Sequence, residues 1–326
     1  MDGPIFVVGA PRSGTTFLRV ILNRHPSIEL SNETNFFYKV WQRRAAFGDL
    51  GDCENRQRLV DQYLQTRNAE SLDVDLHDLG AALLRNGVDY KAFFTTLMRQ
   101  PAADRGKRRF GEKTPYHSFF SETLCDWYPD AALIHVVRDP RAVAASLKRV
   151  PFGSPEALAN ARAWTAHVEA AQRAQGRPNY LLVKYEQLVS EPEVELRRIT
   201  SFIGEEFAAS MLEAGGAPAD TPSWSERAHR PIQNDRIAKW RNELTRSEAA
   251  LVEWAAGPAM TQLGYAREAE APAPFTLAAA SARALGNYVL TRAKNPSTIW
   301  HYWFDRSNLA ADDAAWRRRV PSRRTN

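Results

Sequence analysis

Residues 5–16 read Ile5-Phe6-Val7-Val8-Gly9-Ala10-Pro11-Arg12-Ser13-Gly14-Thr15-Thr16. Four apolar residues predict a buried strand, and Phe17 to Asn23 continue as a helical pattern. Between them Gly9 and Gly14 bracket four residues, the spacing of a phosphate-binding loop. Such a loop turns backbone N–H groups inward, and the helix N-terminus adds partial positive charge, so an anion belongs there. In the ordinary ATP-binding loop a lysine follows the second glycine. Here that position is Thr15, and the cation is Arg12, inside the loop. This argues against ATP chemistry.

Outward from this loop, short apolar runs alternate with longer helical patterns. Strands are expected at 5–9, 28–30, 109–112, 131–138 and 180–185, which predicts an α/β fold: three layers, P-loop-like, a central parallel sheet with helices on both faces. The connection from 31 to 108 is long enough for several helices. A composition shift at 268–274 (EAEAPAP) reads as a linker, followed by a helix near 275–293, an aromatic cluster at 300–304 and an arginine-rich end. The expected organisation is therefore a domain at 1–267 and, at 268–326, a linker, C-terminal helix and basic tail.

A second anion site is expected where the 131–138 strand ends at Arg138. Asp139 suits the N-cap of the next helix and Pro140 its first turn. Ser146 and Arg149 share a helix face further on. Arg138 and Ser146 are placed to grip a phosphate at the carboxyl edge of the sheet. Taken alone, Arg138 fits a structural ion pair equally well.

Composition bounds the rest. The 326 residues are 44% apolar and 25% charged, ordinary for a soluble globular protein. The net charge is +5, and the acid-free stretch 317–326 carries five arginines, which leaves the body near neutral. A broad nucleic-acid-binding face is not expected. No apolar run reaches the ~18 residues of a membrane span. The N-terminus shows no signal-peptide pattern. Cys53 and Cys125 match no metal spacing, no histidine pair has helical metal-binding spacing, and the thiols suit a cytoplasmic protein. The aromatic and basic C-terminus leaves weak membrane-surface contact open beside a docked helix and frayed tail. The sequence does not set the oligomeric state.

Two anion sites on one sheet, with arginine in the first loop, resemble the sulfotransferases that use 3′-phosphoadenosine 5′-phosphosulfate (PAPS). Residues 9–16 look like that family's first motif and 138–146 like its second. Ser31-Asn32-Glu33-Thr34 resembles the tyrosylprotein sulfotransferase segment that carries the catalytic base, and Gly111-Glu112-Lys113-Thr114-Pro115 the segment with the catalytic lysine. Lys184-Tyr185-Glu186 resembles the strand-end element, and 230–240 the late loop that closes over the nucleotide. The likeness spans about residues 4–265, closest in layout to the tyrosylprotein and bacterial branch.

The resemblance implies PAPS as co-substrate with no metal required. It implies Glu33 as general base, with Lys113 and Arg12 stabilising the leaving oxygen. It implies Arg12, Ser13, Gly14, Thr15, Thr16, Arg138, Ser146, Tyr185, Ser225 and Lys239 as nucleotide contacts, although Tyr185 also fits a structural role. The acceptor is a hydroxyl on a glycan, natural product or other small molecule, with residues 35–105 and those beyond 205 shaping its pocket. His117 is the alternative base; His135 reads as a core histidine, and Glu112 as structural. Two other functions remain: a small-molecule kinase, or a non-catalytic nucleotide-binding module.

Overall fold

The computed structural model describes residues 3–213 and 226–293. Five parallel strands form one sheet: β1 (Ile5–Val8), β2 (Ile28–Ser31), β3 (Arg109–Lys113), β4 (Ala132–Val137) and β5 (Tyr180–Lys184), in the order β2-β3-β1-β4-β5. All five lie within a residue or two of the positions expected from the apolar runs.

β1 shows why the sheet is central. Successive side chains of a strand point to opposite faces. Ile5 and Val7 enter one apolar cluster, with Leu18, Ile21, Ile199 and Ile203. Phe6 and Val8 enter the other, with Phe36, Phe37, Phe93, Phe94 and Tyr63. A strand buried on both faces has no polar alternation, so β1 reads as an unbroken apolar run.

The 31–108 connection supplies the second cluster. Its longer helices, Cys53–Leu64, Leu76–Asn86 and Tyr90–Asp104, start on Asp52, Asp75 and Asp89, whose carboxylates accept first-turn N–H groups. Phe36 and Phe94 stack with centroids 4.5 Å apart. This side of the sheet is therefore an aromatic block.

Four more helices matter for the site: α1 (Thr15–Leu22), α2 (Pro140–Leu147), α3 (Ala157–Gln172) and α4 (Arg246–Gln262), the last broken at Gly257, where φ is +43°. A terminal helix, α5 (Pro274–Ala293), matches the expectation for 275–293 and docks on α3 and α4 through Leu277 and Ala280. Among the described residues no helix is long and apolar enough to cross a membrane. Ser225 and the arginine-rich stretch 317–326 lie outside the described residues.

Candidate active site

Every strand of a parallel sheet presents its carboxyl end at the same edge, where ligands of such folds bind. Gly9 follows β1, Glu33 follows β2, Lys113 ends β3, Arg138 follows β4 and Tyr185 follows β5. The topology thus collects the candidate residues from five separate places in the chain.

The β1–α1 loop needs its glycines. Gly9 has φ +144°, and a Cβ there would sit 2.2 Å from the Val136 carbonyl oxygen. Gly14, at φ +102°, caps α1; a Cβ on it would meet the Tyr185 ring at 2.5 Å. Arg12 also takes a positive φ, 71°, which turns its side chain into the cleft.

That cleft holds about 510 Å³ and is lined by Arg12, Gly14, Thr15, Thr16, Arg138, Ser146, Tyr185 and Lys239, all expected from sequence. Arg149, Arg230, Arg236 and Trp240 line it too. Asp235 and Glu243 are the acids in its wall, so cations dominate. Arg12 Nε donates to Ser146 Oγ at 3.1 Å, which joins the two anion sites expected separately. Arg138 donates to the Arg12 carbonyl (3.4 Å) and the Arg236 carbonyl (3.0 Å), and its guanidinium lies 4.3 Å from the Tyr185 ring centre. Burial, then the fields of Arg138, Arg149 and Arg236, lowers the Arg12 pKa to about 10. An anion in the cleft relieves that repulsion. Two buried polar atoms here, Ser13 Oγ and Arg138 Nε, have no hydrogen-bond partner, an arrangement that suits an oxygen-rich ligand.

The backbone around Arg138 is fixed from behind. Its carbonyl accepts from the Trp164 indole at 3.0 Å. The next N–H, of Asp139, donates to Glu186 at 2.9 Å, and Glu186 accepts from the Tyr265 hydroxyl at 2.8 Å. Asp139 caps α2, as its position suggested.

Beside the cleft, Lys113 Nζ contacts Glu33 Oε1. The lysine side chain is 2% exposed and the glutamate 40%, so only the carboxylate is open to an incoming group. Burial pushes the Lys113 pKa below the ordinary lysine value; Glu33 opposes that and Arg19 adds to it. The Glu33 main chain is tied down by Asn68, whose amide donates to the Glu33 carbonyl at 2.6 Å. Arg12 sits with Arg138 and Ser146.

The neighbouring groups are occupied elsewhere. Glu112 accepts from Thr34 Oγ1 and from Thr114 Oγ1 (3.1 Å) and lies against His117 Nδ1. His117 is fully buried, and its Nε2 accepts from the Phe37 N–H at 3.3 Å. An acceptor at Nε2 leaves the proton on Nδ1, facing the Glu112 carboxylate. His135 is a core histidine, Nδ1 bonded to the Tyr180 hydroxyl at 2.7 Å. Among the described residues no group of three or more His, Cys, Asp and Glu side chains could hold a metal ion.

Arg236 and Trp240 fall inside the 230–240 loop expected to close over the nucleotide, but the sequence assigns neither a contact of its own; each gains one only once 226–243 folds back on α1 and α2.

The model of the sulfotransferase family matches residues 4–209, and the chain belongs to that family. It is 29% identical over 290 residues to the nodulation protein NoeE of Sinorhizobium fredii, covering 80% of this chain and 65% of that protein. It is 25% identical over 295 residues to protein-tyrosine sulfotransferase A of Caenorhabditis elegans, covering 82% and 68%. The chain thus spans about two thirds of the length of these relatives. Among solved structures, the sulfotransferase domain of the Synechococcus PCC 7002 olefin synthase aligns with a TM-score of 0.52 at 25% identity, over 78% of this chain and 94% of that one.

Proposed function

We propose that residues 1–267 form a sulfotransferase unit that moves the sulfuryl group of PAPS to an acceptor hydroxyl, and that 268–326 extend it. The observation that carries this reading is the cation-lined cleft at the glycine loop with the Glu33–Lys113 pair beside it. The loop 9–16 holds the 5′-phosphosulfate; Arg138 and Ser146 hold the 3′-phosphate, with Tyr185, Lys239 and Ser225 as further contacts.

Sulfuryl transfer, like phosphoryl transfer, is an in-line displacement in which positioning and charge stabilisation supply most of the catalysis. Glu33 takes the proton of the acceptor hydroxyl. That oxygen bonds to sulfur as the bond from sulfur to the bridging phosphate oxygen breaks. The electron pair stays on the phosphate, where Lys113 and Arg12 stabilise it. The products are a sulfate ester and adenosine 3′,5′-bisphosphate (PAP). The transferred group carries one negative charge fewer than a phosphoryl group, so side-chain cations suffice without a metal. The acceptor is the hydroxyl of a glycan or small molecule, bound between residues 35–105 and those beyond 205. The free thiols of Cys53 and Cys125 support a reducing, cytoplasmic setting.

Thermal denaturation with PAP, ATP–Mg²⁺ and AMP tests the donor, because a ligand of the folded state raises the melting temperature by mass action. A rise with PAP and little with the others is expected. A rise with ATP–Mg²⁺ and none with PAP would replace this reading with a kinase.

A further inference from the structure

The donor cleft has a wall, residues 226–243, that arrives late in the chain and has little secondary structure of its own: two short helices, Glu226–His229 and Trp240–Glu243. Arg138 holds it through the Arg236 carbonyl and Arg149 through Glu243, and Trp240 adds a third anchor. Its ring lies 4.1 Å from the Arg141 guanidinium carbon and 4.6 Å from that of Arg241, so two cations flank it.

Arg141 is itself buried and fixed. Asp139 accepts from its Nε (3.0 Å) and Nη2 (2.7 Å), and Glu253 of α4 accepts from Nη1 at 2.7 Å. Through Asp139 it joins the backbone next to Arg138. Arg141 therefore connects both sides of the cleft.

Glu253 is 2% exposed, and a buried carboxylate is costly unless its lone pairs are filled. Besides Arg141, the donors that fill them come from the segment after the sulfotransferase unit. The N–H groups of Glu268 and Ala269 donate to it, both at 2.9 Å. The Glu268 side chain also pairs with Arg241, on the outer face of Trp240. Beyond it α5 is pinned: Ala280 is 1% exposed and packs with Leu158 and Leu251, and Asn287 donates to Glu156 at 3.2 Å.

We propose that residues 268–293 brace the donor cleft: by completing the shell of Glu253 and flanking Trp240 through Glu268–Arg241, they hold the 226–243 wall where it grips the nucleotide. Glu253, Arg141 and Trp240 are then positioning residues for the donor. The proposal rests on the donor reading above. It gives the extension, which lies beyond the part matched by the family model, a task in donor affinity.

The test is Ala280→Arg in the full chain, which displaces α5 without touching the cleft. Two quantities are read: the dissociation constant for PAP, and hydrogen exchange by segment in the ligand-free protein. We expect PAP binding weakened about tenfold, the scale of losing one cation–π contact at a desolvated site. Faster exchange is expected at 226–243, with 9–16 unchanged. Trp240→Leu should weaken PAP to a similar extent, and the double variant little further, because both act through one contact. Exchange rising in 274–293 while 226–243 and PAP affinity stay at wild-type values would overturn the brace. If the wild-type protein itself binds no PAP, the donor reading fails, and exchange at 226–243 still decides the brace. Should Ala280→Arg not fold, Ala269→Pro makes the same test by removing one of the N–H groups that reach Glu253, and an unchanged 226–243 there would equally overturn it.

Discussion

Around Arg12 and Arg138 six cations face a cleft with two acids in its wall; around Glu33 and Lys113 one acid meets one cation. The first region is unsatisfied by design of its charges and improves when an anion arrives. The second is near balance, with Arg19 and Glu112 adding one charge of each sign beside the pair. Under the function proposed above, the difference separates two tasks, holding a donor and moving a proton. It also predicts that substitutions at Arg138 and at Glu33 or Lys113 will divide between affinity and rate, with Arg12, which serves both tasks, lowering each.

The largest effect is expected at Glu33. Glu33→Gln should lower kcat by about 10²–10⁴, the range for a general base, and leave PAP affinity unchanged. Equal loss of PAP affinity would erase the division. Lys113→Met should cost about 10²–10³ in kcat, as for a donor aimed at developing charge. Because burial lowers the Lys113 pKa, the alkaline loss of activity should fall below the pH expected of an ordinary lysine. A profile flat to beyond pH 10.4 would contradict this.

Arg138→Met should act on the other side. It removes charge-assisted bonds of about 1.5–3 kcal/mol, so calorimetry should show PAP binding about 10- to 100-fold weaker. An effect on kcat alone would merge the regions. The smallest effect concerns stability. Burial holds His167 at about 4 and His135 at about 3. The unfolded chain takes up these protons near pH 6.5, so stability is lost as pH falls below that value. Melts from pH 7.5 to 4.5 should drop more gently in His167→Gln; an unchanged slope would remove His167 from that account.

The same contrast shows what could be read from the chain. The strands and the strand-end residues Arg12, Arg138 and Tyr185 were legible because each depends on a local pattern: an apolar run, a glycine spacing, a cap. Pairing was not legible. Arg12 to Ser146 spans 134 positions and Lys113 to Glu33 spans 80, and no local period records such a contact. Trp240 lay in the loop expected over the nucleotide, but its partner Arg141, in α2, was not legible for the same reason. His117 was considered as a base because histidine suits that role. Its burial against Glu112 follows from the Phe37–Phe94 packing around it, which sequence spacing does not express.

One consequence of the parallel sheet concerns attachment. The amino ends of the strands lie at the edge away from the cleft. There Gly3 donates to the Asp130 carbonyl, and its own carbonyl accepts from Arg109. A polypeptide or a solid support joined ahead of residue 3 would leave by that far edge. The protein can therefore be tethered at this end with its working face turned outward.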